Sequence, residues 1–488
     1  MGQNQHKFVL QRVALKALVE KGFETTFPRH VIEELQKIQG PAVYKNDYAK
    51  EQRHLIWCSI DNEDSRDIDQ LSYAEQLPDK KVKVMVAVAD VDELVNIQSK
   101  IDHHAGLNTA TIYTIAQIFP MLPEMLSTDL TSLNFDSDRC AIVAEMIVGE
   151  DGNIHEYDVY CAMVHNYAKL DYDTVGAWLD GKIPVPEAIK NVKGLEENIQ
   201  LQERMAQKMK ELRHEHGALE FETLESRPVF DGDILCEMKE KKKNRAQGMI
   251  EDFMIATNGV IAQYLEKKGY PSLRRVVRTP KKWDRIGEIA AENGFTLPPE
   301  ANSRALSQFL KSMKQNKPDE YSDISHSILK LIGGGEYLVD TPDNHTDGHF
   351  GLAVKDYSHS TAPNRRYSDL ITHRLLKSAM TGSSIPYTTE ELEQIARNCT
   401  VKEDYIRKIE RQIEKSANAI LLESKIGETF DGIITGAASK GTWVKTSRPQ
   451  LEGKLVKGFE GLQVGNKIKV RLITVDVESG FIDFEKCE

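Results

Sequence analysis

The sequence predicts an α+β multidomain protein: a short N-terminal helical module of helix-turn-helix type, a large mixed domain, and a small five-stranded barrel at the C-terminus. Three observations carry this prediction. Apolar residues recur at helical spacing across 8–38, apolar strand-like runs alternate with long amphipathic patterns from 56 to 426, and the period shortens to two beyond that point. The units are accordingly placed at 1–45, 46–426 and 427–488. At roughly 150 residues per domain, a chain of 488 residues has room for this many cores.

The first helix carries Leu10, Val13, Ala14, Ala17 and Leu18 on one face; the second opens after Phe27-Pro28, a favoured first-turn proline, and carries Val31, Leu35 and Ile38. A hairpin of this size fits a helix-turn-helix or winged-helix module that contacts nucleic acid, although most such hairpins are purely structural. Residues 39–55 are polar with Gly-Pro punctuation and read as a linker. In the large domain, Lys81–Ala89 and Ala141–Val148 read as buried strands. Helices are expected over 194–216, 246–268, 283–293 and 389–424, the last with Tyr405, Ile409, Ile413, Ala417 and Leu421 as a buried stripe. The C-terminal unit shows five short alternating strands beginning near Phe430, Gly441, Glu452, Lys467 and Gly480, the count for an OB-fold barrel. Trp443 and Phe430 either stack bases on its face or fill its core, and Lys440, Lys445, Lys454 and Lys457 are placed to track a phosphate backbone.

No apolar run approaches the ~18 residues of a membrane span, and Met1–Lys7 has no apolar leader. Six scattered cysteines without a C-x-x-C pair argue against a zinc knuckle or disulfide scaffold and are read as reduced thiols, so the expected location is cytoplasmic. The net charge of −12 repels nucleic acid on average. Local basic groups at Lys241–Arg245, Arg274–Lys282 and Arg365-Arg366 set phosphate affinity instead.

Asp61, Glu63, Asp64, Asp67, Asp69 and Gln70 crowd into Cys58–Gln70. Acids this dense repel one another unless a cation neutralises them, and oxygen-only donors favour Mg²⁺ or Mn²⁺ over zinc or copper. A solvated acidic loop is the other reading of these residues. A calcium loop fits poorly, since neither its Gly nor its closing Glu falls in register. Asp67 and Asp69 are two apart and, on extended backbone, project to one face.

Several blocks together resemble the ribonuclease II (RNB) family of 3′-to-5′ exoribonucleases. They are Ser59–Gln70; Tyr113 with Phe119-Pro-Met-Leu-Pro-Glu124 and Leu126–Asn134; His349-Phe-Gly-Leu-Ala353; and Tyr357–Arg374. The resemblance implies a metal-dependent, processive exoribonuclease II activity that hydrolyses single-stranded RNA to nucleoside 5′-monophosphates. Asp61, Asp67, Asp69 and Arg365 are the implied catalytic residues, and Asp61, Asp67, Asp69 and Gln70 the implied ligands of Mg²⁺, with Mn²⁺ as the alternative. Tyr113, Tyr172, Phe221, Glu251, Tyr357, Arg366, Glu410 and Trp443 are the expected RNA contacts, with Glu414 as the substitute for Glu410. Arg366 is read as a supporting contact or a surface cation, and Asp369 and His373 as groups that orient Arg365 or serve the helix.

Two departures bear on this. The family usually begins with two cold-shock barrels, replaced here by the helical module, and its acidic motif usually ends in a second aspartate where Gln70 stands. An amide offers an oxygen ligand but no charge and no base. The rival expectation is therefore an RNA-binding protein whose catalysis is impaired at Gln70. A DNA-binding regulator using 8–38 is disfavoured, DNA is not an expected substrate, and the chain is expected to act as a monomer.

Overall fold

Residues 5–44, 49–221, 225–438, 441–446 and 451–487 are described by a computed structural model. The centre of the large domain is set by Val82–Ala89, a strand apolar at nearly every position because both its faces are covered. Its sheet runs Lys50–Glu51, Ile154–Asp171, Trp57–Asp61, Gln70–Gln76, Val82–Ala89, Asp138–Val148. The 18-residue strand Ile154–Asp171 pairs antiparallel with Asp138–Val148 along its first part and parallel with Trp57–Asp61 along its last. The sheet therefore closes on itself, and the acidic segment 61–70 is the connection between two of its strands. Helices Leu195–Glu215, Arg245–Lys267 and Tyr367–Thr381 supply the apolar residues that complete this core.

The N-terminal helix His6–Glu20 buries the expected five residues. Leu10, Ala14 and Leu18 pack on Ile406, Ile409 and Ile413 of the helix Thr389–Leu422, so the module is docked on the body of the protein. Pro28 is the N-cap of Arg29–Leu35, one position before the first turn assigned to it. The expected linker is partly structural: Lys50 and Glu51 extend the sheet beside Ala162 and Met163, and the Tyr44 hydroxyl donates to Asp90 at 2.8 Å. Helices Trp283–Glu292, Ser303–Asn316 and Pro318–Ile332 form a separate apolar cluster around Phe309 and Ile328, with Phe221 and Phe350 against its edge.

The C-terminal strands close a barrel in the order Thr429–Ala438, Gly441–Thr446, Glu452–Lys457, Phe481–Lys486, Lys467–Asp476. Phe430 does not form a stacking face: it is 9% exposed, with its ring 6.2 Å from Phe484 in the barrel core. Trp443 and Lys445 alternate with buried Thr442, Val444 and Thr446, which turns them outward, and Lys454 lies opposite Trp443. Lys440 lies outside the described residues. All six cysteines are free, and no described helix is long and apolar enough to cross a membrane.

Candidate active site

Asp61 ends its strand directly opposite Asp171 and accepts hydrogen bonds from the Asn62 N–H at 2.7 Å and the Ser65 hydroxyl at 2.9 Å. The segment that follows is pinned from three sides. Ser132 Oγ accepts from the Ile68 N–H at 2.9 Å, the Leu133 N–H donates to the Ile68 carbonyl at 2.9 Å, and the Ala89 N–H donates to the Asp69 carbonyl at 3.0 Å. With Ile68 inserted into the core, Asp67 and Asp69 turn together toward Arg365 and Tyr113.

Arg365 comes from 296 positions along the chain, and its Nε donates to Asp69 Oδ2 at 2.7 Å. Its side chain remains 45% exposed while that of Asp69 is 3% exposed. The carboxylate thus fixes the guanidinium from behind and leaves its other face open. The Tyr113 hydroxyl donates to Asp67 Oδ2 at 2.8 Å, and the Tyr113 backbone N–H serves Glu410 on the long helix.

Burial pushes the Asp69 carboxyl up to about 7; the Arg365 charge opposes the rise and Asp67 adds to it. Burial likewise raises Asp61, against its bonds from Asn62 and Ser65, and raises Glu410 to about 7. On Arg365 burial disfavours the charge, but Asp69, Tyr113 and Asp67 outweigh it and the guanidinium stays ionised. For the Asp69–Arg365 pair the guanidinium is the fixed charge, and the carboxyl is the member left short of positive partners.

Among the described residues no three His, Cys, Asp or Glu side chains converge closely enough to hold a metal ion unaided. Asp61, Asp67 and Asp69, three of the four expected ligands, each have an oxygen bonded to a protein donor, and the fourth, Gln70, lines the adjoining cavity. The donor chemistry nevertheless fits a hard ion that takes the rest of its shell from water and phosphate. All three acids offer oxygen, and Asp69 Oδ1 is buried without a hydrogen-bond partner.

A cavity of about 320 Å³ opens beside these groups, lined by Gln70, Tyr172, Glu251, Tyr357, Arg365 and Arg366 among others. Tyr357 is nearly buried between His349 and His359, and its hydroxyl accepts from Asn258 at 3.3 Å. Arg366 is not the surface cation that one reading proposed. It is half-buried and bound at 2.7 Å to the fully buried Asp369. Asp369 therefore orients Arg366 and caps the Ala362 N–H, and His373 bonds the Ser360 carbonyl; Arg365 is oriented by Asp69 instead. Phe221 lies on the wall of an adjoining recess that shares Glu251 with this cavity, and Trp443 lines neither.

Three contributors escape the sequence reading. Asn258 holds Tyr357 and accepts from both the Ser360 N–H and hydroxyl, so it ties the helix Arg245–Lys267 to the segment that bears the arginines. Asn364 Oδ1 accepts from the Thr131 hydroxyl at 2.5 Å. Arg227 reaches from a β-hairpin to Asn62 at 2.6 Å. Only Asn364 carried a signal, its place beside Arg365; the other two contacts span 99 or more positions and have no local trace.

Residues 49–382 match the RNB domain model, and 428–486 match the RNase II-type exonuclease C-terminal S1 domain. The chain belongs to the RNB family. Ribonuclease R of Aquifex aeolicus is 29% identical over 521 residues, covering 100% of this chain and 72% of that protein. Of other relatives bearing that name the chain spans 60% or 56%. The fold matches Mycoplasma genitalium RNase R in complex with ribose-methylated single-stranded RNA, with a TM-score of 0.88 at 23% identity, covering 98% of this chain and 78% of that one. It also matches yeast Ssd1, a pseudonuclease, with a TM-score of 0.68 at 15% identity, covering 86% and 52%. The same fold thus occurs in a pseudonuclease, and the side chains decide between the readings.

Proposed function

We propose that the chain is a divalent-metal-dependent 3′-to-5′ exoribonuclease that hydrolyses single-stranded RNA processively to nucleoside 5′-monophosphates. The observation that carries this reading is the convergence of Asp61, Asp67 and Asp69 with Arg365, whose guanidinium is anchored by Asp69 and open on its other face. An impaired RNA-binding protein has no need of an arginine held in place by a buried carboxylate.

Each group then has a task. Asp61, Asp67 and Asp69 would hold Mg²⁺ or Mn²⁺, with Gln70 as a neutral neighbour of the site. The bound ion would neutralise charge on the scissile phosphate and lower the pKa of the attacking water. Arg365 presents its planar donors to the phosphate oxygens, and Arg366, fixed by Asp369, adds a second positive charge on the cavity wall. Tyr113 and Phe221 stack the terminal bases, a contact worth about 1–3 kcal/mol per base and indifferent to sequence. Tyr172 and Tyr357 bound the cavity and limit how far the strand advances. Glu251 and Glu410 accept from ribose hydroxyls, which makes RNA the substrate and DNA a poor one. Glu410 serves better than Glu414 because it is tied to the Tyr113 backbone. Trp443, outward on the barrel beside Lys454, holds the strand before it enters. A monomer in the cytoplasm suffices for this activity.

Hydrolysis of single-stranded RNA is expected to fall to background in EDTA. Arg365→Ala is expected to slow it on the order of 10²-fold or more while RNA binding persists. Full activity in chelator would remove the metal from the reading.

A further inference from the structure

The two hydrogen bonds that hold Asp61 fall on the same oxygen. The Asn62 N–H and the Ser65 hydroxyl both donate to Oδ1, at 2.7 and 2.9 Å, and no donor among the described residues reaches Oδ2. The turn 62–65, closed by the Ser65 N–H on the Asn62 carbonyl at 3.1 Å, therefore sets the rotation of the carboxylate and leaves its second oxygen for a hard ion. Whatever fixes this turn fixes the ligand.

The turn is under charge repulsion. Its Glu63 and Asp64 line a cavity of about 470 Å³ together with Asp171 and Asp173, and like charges gathered this closely push apart. Two cations oppose that. Lys169, on the strand beside Asp61, donates to the Ser65 carbonyl at 2.6 Å and to the Glu63 carbonyl at 3.4 Å. Arg227, on the wall of the same cavity, reaches across 165 positions and donates to Asn62 Oδ1 at 2.6 Å. It stands on the hairpin Glu225–Asp231 and Ile234–Lys241, which is docked at its tip. There the Lys7 N–H donates to the Asp233 carbonyl at 3.1 Å, the Leu235 N–H donates to His6 Nδ1 at 3.2 Å, and Leu235 is buried in one cluster with Leu10 and Ile409. The guanidinium thus meets Asn62 from a fixed base.

We propose that Arg227 is a positioning residue of the metal site: through Asn62 it holds the turn that turns Asp61 Oδ2 toward the ion. That the ion serves RNA cleavage rests on the exoribonuclease reading; the coupling of Arg227 to Asp61 does not. The N-terminal helix, which seats the hairpin, thereby acquires a part in the site without touching substrate.

The test is titration of Mn²⁺ into the metal-free full chain, with the free ion counted by its electron paramagnetic resonance signal, alongside kcat and KM for single-stranded RNA at subsaturating Mn²⁺. Arg227→Gln is expected to weaken Mn²⁺ about tenfold, as for other groups that orient a metal ligand, and to lower kcat with KM for RNA unchanged. Loss of a nearby positive charge would by itself tighten the ion, so the direction of the change separates positioning from simple electrostatics. Arg227→Lys keeps a donor and should recover most of the affinity. Asn62→Ala leaves the backbone N–H on Asp61 and should match Arg227→Gln, and the double variant should be no weaker than either single one. Mn²⁺ affinity that is unchanged or higher in Arg227→Gln, additive losses in the double variant, or a raised KM for RNA with Mn²⁺ unmoved would overturn the assignment. No Mn²⁺ bound by the parent chain at millimolar ion would overturn it together with the metal reading. The expected Mn²⁺ pattern in a protein that cleaves no RNA would remove the nuclease reading and leave the coupling of Arg227 to Asp61 standing.

Discussion

Asp69 has one oxygen on Arg365 and the other buried without a partner, so its charge is only half compensated. Burial pushes its carboxyl up from 3.8 to about 7, against the Arg365 charge. Between those values the folded chain keeps a proton that the unfolded chain has released, so the metal-free protein loses stability through this group as pH rises from about 4 to 7. An ion that requires the carboxylate competes with that proton below 7. Added Mg²⁺ should raise the melting temperature more at pH 8 than at pH 6; equal shifts would show that Asp69 is not a ligand. Gln70 stands next in the chain, 7% exposed at the cavity wall. Gln70→Asp adds a carboxylate where the ion would bind and is expected to leave turnover unchanged or faster, measured in the same hydrolysis assay. Complete loss would mean that the amide belongs to a differently arranged site.

At the scale of elements, the helix Thr389–Leu422 joins the parts: it carries Glu410 against Tyr113, seats the N-terminal helix, and ends in the apolar cluster of the barrel. Ile413, fully buried where the N-terminal helix packs, is its most sensitive point. Ile413→Ala should destabilise the protein by about 2–5 kcal/mol, read from the denaturant midpoint, and a cost below 1 kcal/mol would show that the N-terminal helix is not firmly docked. This helix was legible as a periodic stripe, as were the helices that begin at Leu195 and Arg245 and the central strand, because a covered face imposes its period on the sequence. The strand Ile154–Asp171 was not, since half-exposed Tyr157, Met163 and Tyr167 blur its alternation. The sheet edge at Lys50–Glu51 is two exposed polar residues whose side-chain partners, Asp158 and Tyr160 for Lys50, lie more than 100 positions away and leave no local trace. Phe430 and Arg366 mark the same limit within the site: residue type shows what a side chain can do, and tertiary packing decides whether it faces solvent, core or cavity.

For the molecule as a whole, the net charge of −12 repels nucleic acid on average, while Arg365 and Arg366 place positive charge on the wall of the cavity beside the acids. On the proposed reading, substrate selection would rest on width, stacking and ribose contacts. The motif order across residues 59–374 made the family readable, and the acids, the arginine and the aromatics of the cavity were all named from it. What the order did not reveal was that Asp69 itself anchors Arg365, since that bond spans 296 positions.

On the proposed reading, the convergence of Asp61, Asp67, Asp69 and Arg365 cleaves RNA from its 3′ end. The most direct test incubates 5′-labelled single-stranded RNA and the matching DNA with the protein in Mg²⁺ or Mn²⁺ and resolves the fragments at nucleotide resolution. The expected outcome is an RNA ladder that shortens from the 3′ end, nucleoside 5′-monophosphate as the released product, and DNA left intact. RNA that stays full length while bound tightly in both metals would contradict it.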